Sequence, residues 1–472
     1  NIRIESAAGP EMKEYLLTGT PAEQLRAYLN LTGECMLPPE WAFGLWISAN
    51  GWHRDEDVDE QLFMLEKHDC PASVMVLEAW SDESTFYRWN EVWPDPAATV
   101  RRVRERGLHL VLWQIPALKA LKDCPDVEPA RRDWEEAVAK GYVIRQEDGS
   151  PYVIPDKWFA GSLLPDFTNP EACRWWFDKR RPLLEMGVEG FKTDGGEFLF
   201  GSDVRLADGT PGVEAHNRYP MQYEKAYHDW MRSSGVAGVT FSRAGYTGAQ
   251  TVPIHWAGDQ LSTWEELRGQ LSAGLSAGLS GVLFWSFDIG GFAGEIPDRE
   301  LYLRATAMGC FCPVMQWHAE PRNGQFFATG DAAWNNDRSP WNLASRWNDP
   351  SIAEIACAFA RLRERLRPML YEEAKACVKE GRPMMAHLCL DFPDDEQALA
   401  CRDEYLLGRR LLVAPIVQLG AEGRKVYLPK GRWRHFFTGR VCEGGRTVEL
   451  SCPLNEALVF EREEEETWNC AI

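Results

Sequence analysis

The 472-residue sequence contains no Cys-x-x-Cys pair, no His-Glu-x-x-His or His-x-His element, and no apolar run near the ~20 residues that cross a bilayer. Those gaps argue against a zinc site and against a membrane span; no metal is expected. Its thirteen cysteines are odd in number and scattered, so a disulfide framework is unsupported and reduced thiols in the cytoplasm are expected. The first residues, Asn1 to Glu5, lack the apolar stretch of a secretory signal. Asn30-Leu31-Thr32 matches a glycosylation sequon of a length that arises readily by chance. Basic charge is also short, 51 Lys+Arg against 71 Asp+Glu, for a net charge of -20. A chain so acidic is poorly suited to phosphate backbones, and nucleic acid is not an expected partner. With 45% hydrophobic residues it nonetheless has ample material for a core, which excludes global disorder.

Short runs rich in Val, Ile, Phe and Trp recur between longer amphipathic stretches, the pattern of parallel strands alternating with helices. Eight strands are predicted: Phe43 to Ser48, Ser73 to Ala79, His109 to Gln114, Gly187 to Lys192, Gly238 to Ser242, Ile254 to Ala257, Gly281 to Ser286 and Pro313 to His318. Eight such units predict an α/β fold, a (β/α)8 TIM barrel. Helices are expected at Asp57 to Lys67 (capped by Asp55 or Asp57), Ala97 to Arg106 (capped by Asp95), Glu171 to Met186, Met221 to Ser233 and Trp264 to Ala277. Residues 1–36 read as the end of an N-terminal region. Residues 37–372 read as the barrel, with an insertion over its mouth at about 115–169, too long for an ordinary connection. After a helical segment from Pro350 to Lys379, short strands punctuated by Gly and Pro predict a C-terminal all-β sandwich domain over 373–472. The acidic run from Glu463 reads as a solvated tail.

In such a barrel the strand ends converge on one face. Here they carry Asn50 and Trp52, Glu78 and Trp80, Trp113 and Gln114, Lys192 and Asp194, Arg243, Trp256 and Asp259, Trp285 and Asp288, and Trp317 and His318. Indoles stack on the C–H faces of sugars, while carboxylates, Arg and His bind hydroxyls, so the set reads as a carbohydrate site. Glycoside hydrolysis requires two carboxyl groups. Asp194, leading into Gly195-Gly196, and Asp259, following Trp256-Ala257-Gly258, are the candidates; helix capping is the alternative for each.

Gly190-Phe191-Lys192-Thr193-Asp194-Gly195-Gly196-Glu197 resembles the nucleophile signature of glycoside hydrolase family 31, the α-glucosidase and α-xylosidase family. Arg243, Trp256 to Asp259, Gly278 to Gly281 and Phe284 to Phe292 extend the likeness. So do Met36 to Gly44, Asp166 to Pro170 and His216-Asn217, from about Tyr15 to about Phe460. The resemblance implies a retaining α-glycosidase acting on an oligosaccharide or glycoside, α-glucosidase first, with no cofactor. Asp194 would be the nucleophile, and Asp259 the acid/base with the higher pKa, the two carboxyls about 5–5.5 Å apart. Glu78, Trp80, Trp113, Lys192, Arg243, Trp256, Trp285, Asp288 and His318 would bind substrate. Homo-oligomerisation stays open.

Two departures from the family pattern stand out. On the second strand Glu78 replaces the usual aspartate, with Trp80 beside it, which reshapes the wall that reads the sugar. The N-terminal β-sandwich usual in the family is not present in full. α-Xylosidase, α-galactosidase and transglycosylase readings use the same two acids. A noncatalytic carbohydrate-binding protein would have no need for a proton donor opposite a nucleophile. A phosphate-binding barrel would use Gly290-Gly291, but Trp and Phe surround that pair and Lys is scarce there.

Overall fold

The computed structural model describes residues 14–156, 158–321 and 336–463; the N-terminal signal reading and the acidic run beyond Glu463 lie outside them. Eight short strands carry the first part of the chain: β1 (Leu45–Ser48), β2 (Val74–Leu77), β3 (His109–Gln114), β4 (Gly190–Thr193), β5 (Val239–Ser242), β6 (Ile254–Trp256), β7 (Trp285–Ser286) and β8 (Met315–Trp317). Most residues are buried on both strand faces, which is why they read as continuous apolar runs rather than as alternation. The strands pair in parallel in the order β8-β1-β2-β3-β4-β5-β6-β7. A single bridge, Asp288 to Gln316, joins the two ends, with Ile289 N donating to Gln316 O at 3.1 Å and Val314 N to Trp285 O at 3.3 Å. The sheet therefore closes into the expected barrel.

Register positions the site. Gln114 pairs with Thr193 and Thr193 with Ser242, so the next residues, Asp194 and Arg243, leave the sheet side by side.

Local chemistry explains the helices and their departures from expectation. Asp95 accepts from Ala98 N at 3.0 Å as the predicted cap, and Pro96 begins the helix Pro96–Glu105, one residue ahead of the expected span. The helix Asp55–Lys67 instead has Arg54 at its cap. Asp55 and Asp57 both lie in its first turn, where their charge still suits the helix dipole. The single helix expected over 171–186 is two, Pro170–Asp178 and Arg181–Met186; Pro182 has no N–H to continue the first. The helix expected from Met221 starts nine residues earlier, in Gly212–Ser233, and carries Pro220 within it.

The insertion contains the helix Val127–Lys140 and a ribbon in which Arg145–Gln146 pairs with Val204–Arg205. The long helix Ser351–Glu380 then packs along the barrel. Its Arg363, fully buried, donates to Phe43 O (2.6 Å), Cys310 O (2.9 Å), Cys312 O (2.6 Å) and Pro313 O (2.6 Å), gathering the chain just ahead of β1 and β8. Beyond it, β9 (Met385–His387), β10 (Tyr405–Leu407), β11 (Leu411–Val413), β12 (Gly423–Leu428), β13 (Arg432–His435), β14 (Val441–Glu443), β15 (Arg446–Ser451) and β16 (Val459–Glu463) form the sandwich-like domain. Six of them make an antiparallel sheet in the order β9-β10-β11-β16-β13-β14, and β12 pairs with β15. Arg304, from the barrel helix Arg299–Cys310, ties the two parts by donating to Cys452 O at 2.9 Å and Ala421 O at 3.0 Å. No helix among the described residues is long and apolar enough to cross a membrane.

Candidate active site

Asp194 is the first residue after β4. The turn beyond it depends on Gly195, whose φ is 73° and where a Cβ would come within 2.4 Å of Ile115 Cδ1. The next helix begins only at Gly212, so Asp194 caps nothing. Three donors point at its carboxylate instead: Trp113 Nε1 to Oδ2 at 2.8 Å, and Gly195 N at 2.8 Å and Arg243 Nη1 at 3.0 Å to Oδ1. Hydrogen bonds to an ionised acceptor of this kind are among the stronger ones in proteins.

Asp259 lies in the loop after β6. Thr263, not Asp259, caps the following helix Trp264–Leu279, accepting from Glu266 N at 3.2 Å. Asp259 Oδ2 lies 3.7 Å from Arg243 Nη1, so one guanidinium nitrogen is within ion-pair distance of both acids. The two sites differ in access, since the Asp259 side chain is 25% exposed and that of Asp194 is 12%. Burial, and then the charge of Asp194, raise the Asp259 pKa against the opposing pull of Arg243 and Lys192.

Arg243 is fixed from its far side by Glu197, with Nε to Oε1 at 2.9 Å and Nη2 to Oε2 at 3.1 Å. Burial disfavours its charge, but Asp194 and Glu197 outweigh that and raise its pKa. Glu197 belongs to the quoted signature, yet its part in orienting Arg243 could not be read from a strand-end inventory, because it lies four residues beyond the strand end. Trp158, supplied by the insertion, was also missed. It is partly exposed, its ring 5.4 Å from the Arg243 guanidinium and 6.2 Å from the ring of Trp113.

Deeper, Lys192 Nζ donates to Glu78 Oε1 at 2.7 Å, and His318 Nε2 lies 3.5 Å from the same oxygen. Burial pushes Glu78 up to about 7 despite Lys192. Burial also holds His318 well below its usual range, as do Lys192 and Arg338. Burial counters the charge of Lys192, but Glu78, Asp288 and Asp194 together raise its pKa. Asp288, raised well above its usual value by burial with Lys192 opposing, accepts from Gln316 Nε2. Trp256 lies under Lys192, whose ammonium is 4.8 Å from its ring.

Two of the nine expected substrate contacts lie elsewhere. Trp80 is 0% exposed, its Nε1 committed to Trp113 O at 3.0 Å and its ring edge-on to Trp89, so it supports the wall from behind. Trp285 turns outward. A Cβ on Gly274 of the helix Trp264–Leu279 would meet its Cδ1 and Nε1 at 2.8 Å, alongside Met385 Sδ. In a strand successive side chains point to opposite faces, and a strand-end position alone does not say which. Trp317 likewise packs edge-on to Trp341.

Cys401, Asp403 and Glu404 form a group of potential metal ligands in the C-terminal domain. Arg424 Nη2 lies 2.7 Å from Asp403 and 3.4 Å from Glu404, neutralising the charge that would attract a cation.

Comparison with known proteins places the whole arrangement in context. Residues 35–373 match the model of the glycosyl hydrolases family 31 TIM-barrel domain, and residues 381–465 that of the family 31 C-terminal domain. An isomaltosyltransferase from Sporosarcina globispora is 38% identical over 92% of this chain and 41% of its own length. A 1,3-alpha-isomaltosidase from Kribbella flavida is 36% identical over 97% of this chain and 66% of its own. A cycloalternan-degrading enzyme from Trueperella pyogenes, solved in complex with a covalent intermediate, superimposes with a TM-score of 0.90 at 37% identity, covering 95% of this chain and 63% of that one. The chain thus spans between about two fifths and two thirds of the length of these relatives.

Proposed function

Because this chain belongs to glycosyl hydrolase family 31, we propose that it processes α-linked glucosyl oligosaccharides with retention of configuration, taking isomaltosyl units as donor. The observation that carries this reading is the single Arg243 nitrogen in contact with both carboxylates, which sets Asp194 and Asp259 across one small gap.

Asp194 attacks the anomeric carbon. The bond to the leaving oxygen breaks, and that oxygen takes the proton from Asp259. In the second step Asp259 accepts a proton from the incoming hydroxyl, whose oxygen bonds the anomeric carbon as the bond to Asp194 breaks. Trp113, Gly195 and Arg243 hold the nucleophile, and the raised pKa of Asp259 suits it to carry the first proton. Glu78, Lys192, His318 and Asp288 supply a polar floor for sugar hydroxyls.

The isomaltosyl preference is favoured over plain α-glucosidase action by the names of the two relatives at 36% and 38% identity. Glu78, held to Lys192 where the family usually has an aspartate, is a change on the wall that reads the sugar. Water and a second sugar compete as acceptor, and Trp158 offers a flat apolar surface beside Arg243 for a sugar acceptor. The twelve free cysteines among the described residues support a reducing, cytoplasmic setting.

The test is a panel of aryl α-isomaltoside, α-glucoside, α-xyloside and α-galactoside donors, with products separated at high donor concentration. Preferential release from the isomaltoside, abolished in Asp194→Ala, is expected. Undiminished turnover in that variant, or sugar binding without turnover of any donor, would refute the reading.

A further inference from the structure

Away from the two acids, a narrow cavity of about 10 Å³ opens where the loop after β2, the insertion and the end of the helix Pro170–Asp178 meet. It has room for one water-sized body. Its lining includes Ser84, Tyr87, Lys119, Asp133, Lys179 and Arg180, three cations to one acid.

Two of those cations are accounted for. Lys179 Nζ binds Asp133 Oδ1 at 2.8 Å, and Tyr87 OH donates to the other oxygen at 2.9 Å, so the charge of Asp133 is already answered by Lys179. Lys119 Nζ donates to Glu83 O at 2.7 Å and lies 3.8 Å from its carboxylate.

Arg180 is different. It is 0% exposed, its guanidinium stacks 3.6 Å over Trp176, and its partners are neutral oxygens, Gln114 Oε1 at 2.6 Å, Trp176 O at 3.1 Å and the Tyr227 hydroxyl alongside. Its Nη2 has no partner, and no carboxylate pairs with it among the described residues. A buried charge without a counter-charge is strongly disfavoured. Water could satisfy the open N–H but would leave the charge standing.

We propose that this cavity binds one small monovalent anion, of chloride size, against Arg180 Nη2. The narrowness of the cavity favours a halide over the larger phosphate or sulfate. Burial lowers the Arg180 pKa, as expected of a guanidinium short of a partner, and an adjacent anion reverses that penalty. The site also touches the catalytic centre through one residue. Gln114 accepts from Arg180 with its side chain and from Asp194 N, at 2.9 Å, with its backbone carbonyl. Occupancy steadies the strand end that presents the nucleophile.

The experiment compares thermal unfolding of the protein in sodium gluconate with chloride or bromide at fixed ionic strength, alongside anomalous diffraction from bromide-soaked crystals. A saturable rise of about 2 °C in halide is expected, absent in Arg180→Met, together with an anomalous peak beside Arg180 Nη2. Should the variant fail to fold, the peak in the unaltered protein decides the matter. Identical midpoints in gluconate and halide, a halide response that Arg180→Met retains, or a soaked crystal without that peak would overturn the site.

Discussion

Trp113 shows how much a single side chain does here. Its indole nitrogen holds one oxygen of Asp194, and its carbonyl receives the indole of Trp80 behind it. Trp113→Phe keeps an aromatic six-membered ring at the site but removes the donor together with the five-membered ring that carries it. A hydrogen bond to a charged group contributes about 1.5–3 kcal/mol, so kcat should fall by roughly 10- to 100-fold, measured at a temperature below any lowered unfolding midpoint that the smaller ring brings. Equal kcat in the two proteins would show that the contact does not orient the nucleophile. Glu197 permits a signed test of acid–base chemistry. As the proposed proton donor Asp259 would be competent in its protonated form, so kcat/KM should decline as pH rises through its raised pKa. Glu197→Gln removes a negative charge that raises that pKa, and it also releases Arg243 to act on Asp259 more strongly. Both effects point the same way, and the alkaline limb should move to lower pH. A pH–rate profile with that limb unmoved or shifted upward would count against Asp259 as the proton donor.

At the scale of elements, strands were the most readable feature, since runs such as His109–Gln114, buried on both faces, differ from amphipathic helices in length and content. Helix boundaries were less so. Pro182 divided a segment that periodicity alone would join, whereas Pro220 did not interrupt Gly212–Ser233. The convergence of Asp194, Arg243 and Asp259 was legible because strand ends in a closed barrel must meet. The direction of each side chain was not, as the outward turn of Trp285 and the buried position of Trp80 show. Nor could sequence reveal Trp158, brought to the site by a long insertion, or the four carbonyls gathered by Arg363. That last cluster carries its own prediction. Arg363→Met keeps the apolar stem and strands four carbonyls away from water, at a cost of at least about 3 kcal/mol. Denaturant titration should show the midpoint falling, and a loss under about 1 kcal/mol would mean that the carbonyls find other partners.

Across the whole molecule, barrel and C-terminal sheet are joined rather than strung together. Met384 N donates to Leu283 O at 2.9 Å beside the barrel, Arg304 reaches Cys452 and Ala421, and Met385 packs against the Trp285 ring and Gly274. Contacts of this kind couple the unfolding of the two parts. Heating followed separately by deuterium uptake of peptides around β3 in the barrel and around β13 in the C-terminal sheet should give one coincident transition. Two separated transitions would mean that the parts melt independently. The charge of -20 on the chain does not extend to the pocket floor, where Lys192 and Arg243 face five acids, of which Glu78, Asp259 and Asp288 are pushed toward the neutral form. That near-balance fits a neutral sugar better than a charged ligand.

The closure of the barrel is thinnest between β7 and β8, where one bridge and two backbone bonds do the work of a full ladder. The side chains of Asp288 and Gln316 clasp across that gap. The weakest stave joint therefore lies at the rim that carries Asp194 and Asp259, and any loosening of the cylinder should begin there. Amide deuteration at Ile289 should outpace that at Leu112, and an occupied pocket should slow the first while leaving the second as it was.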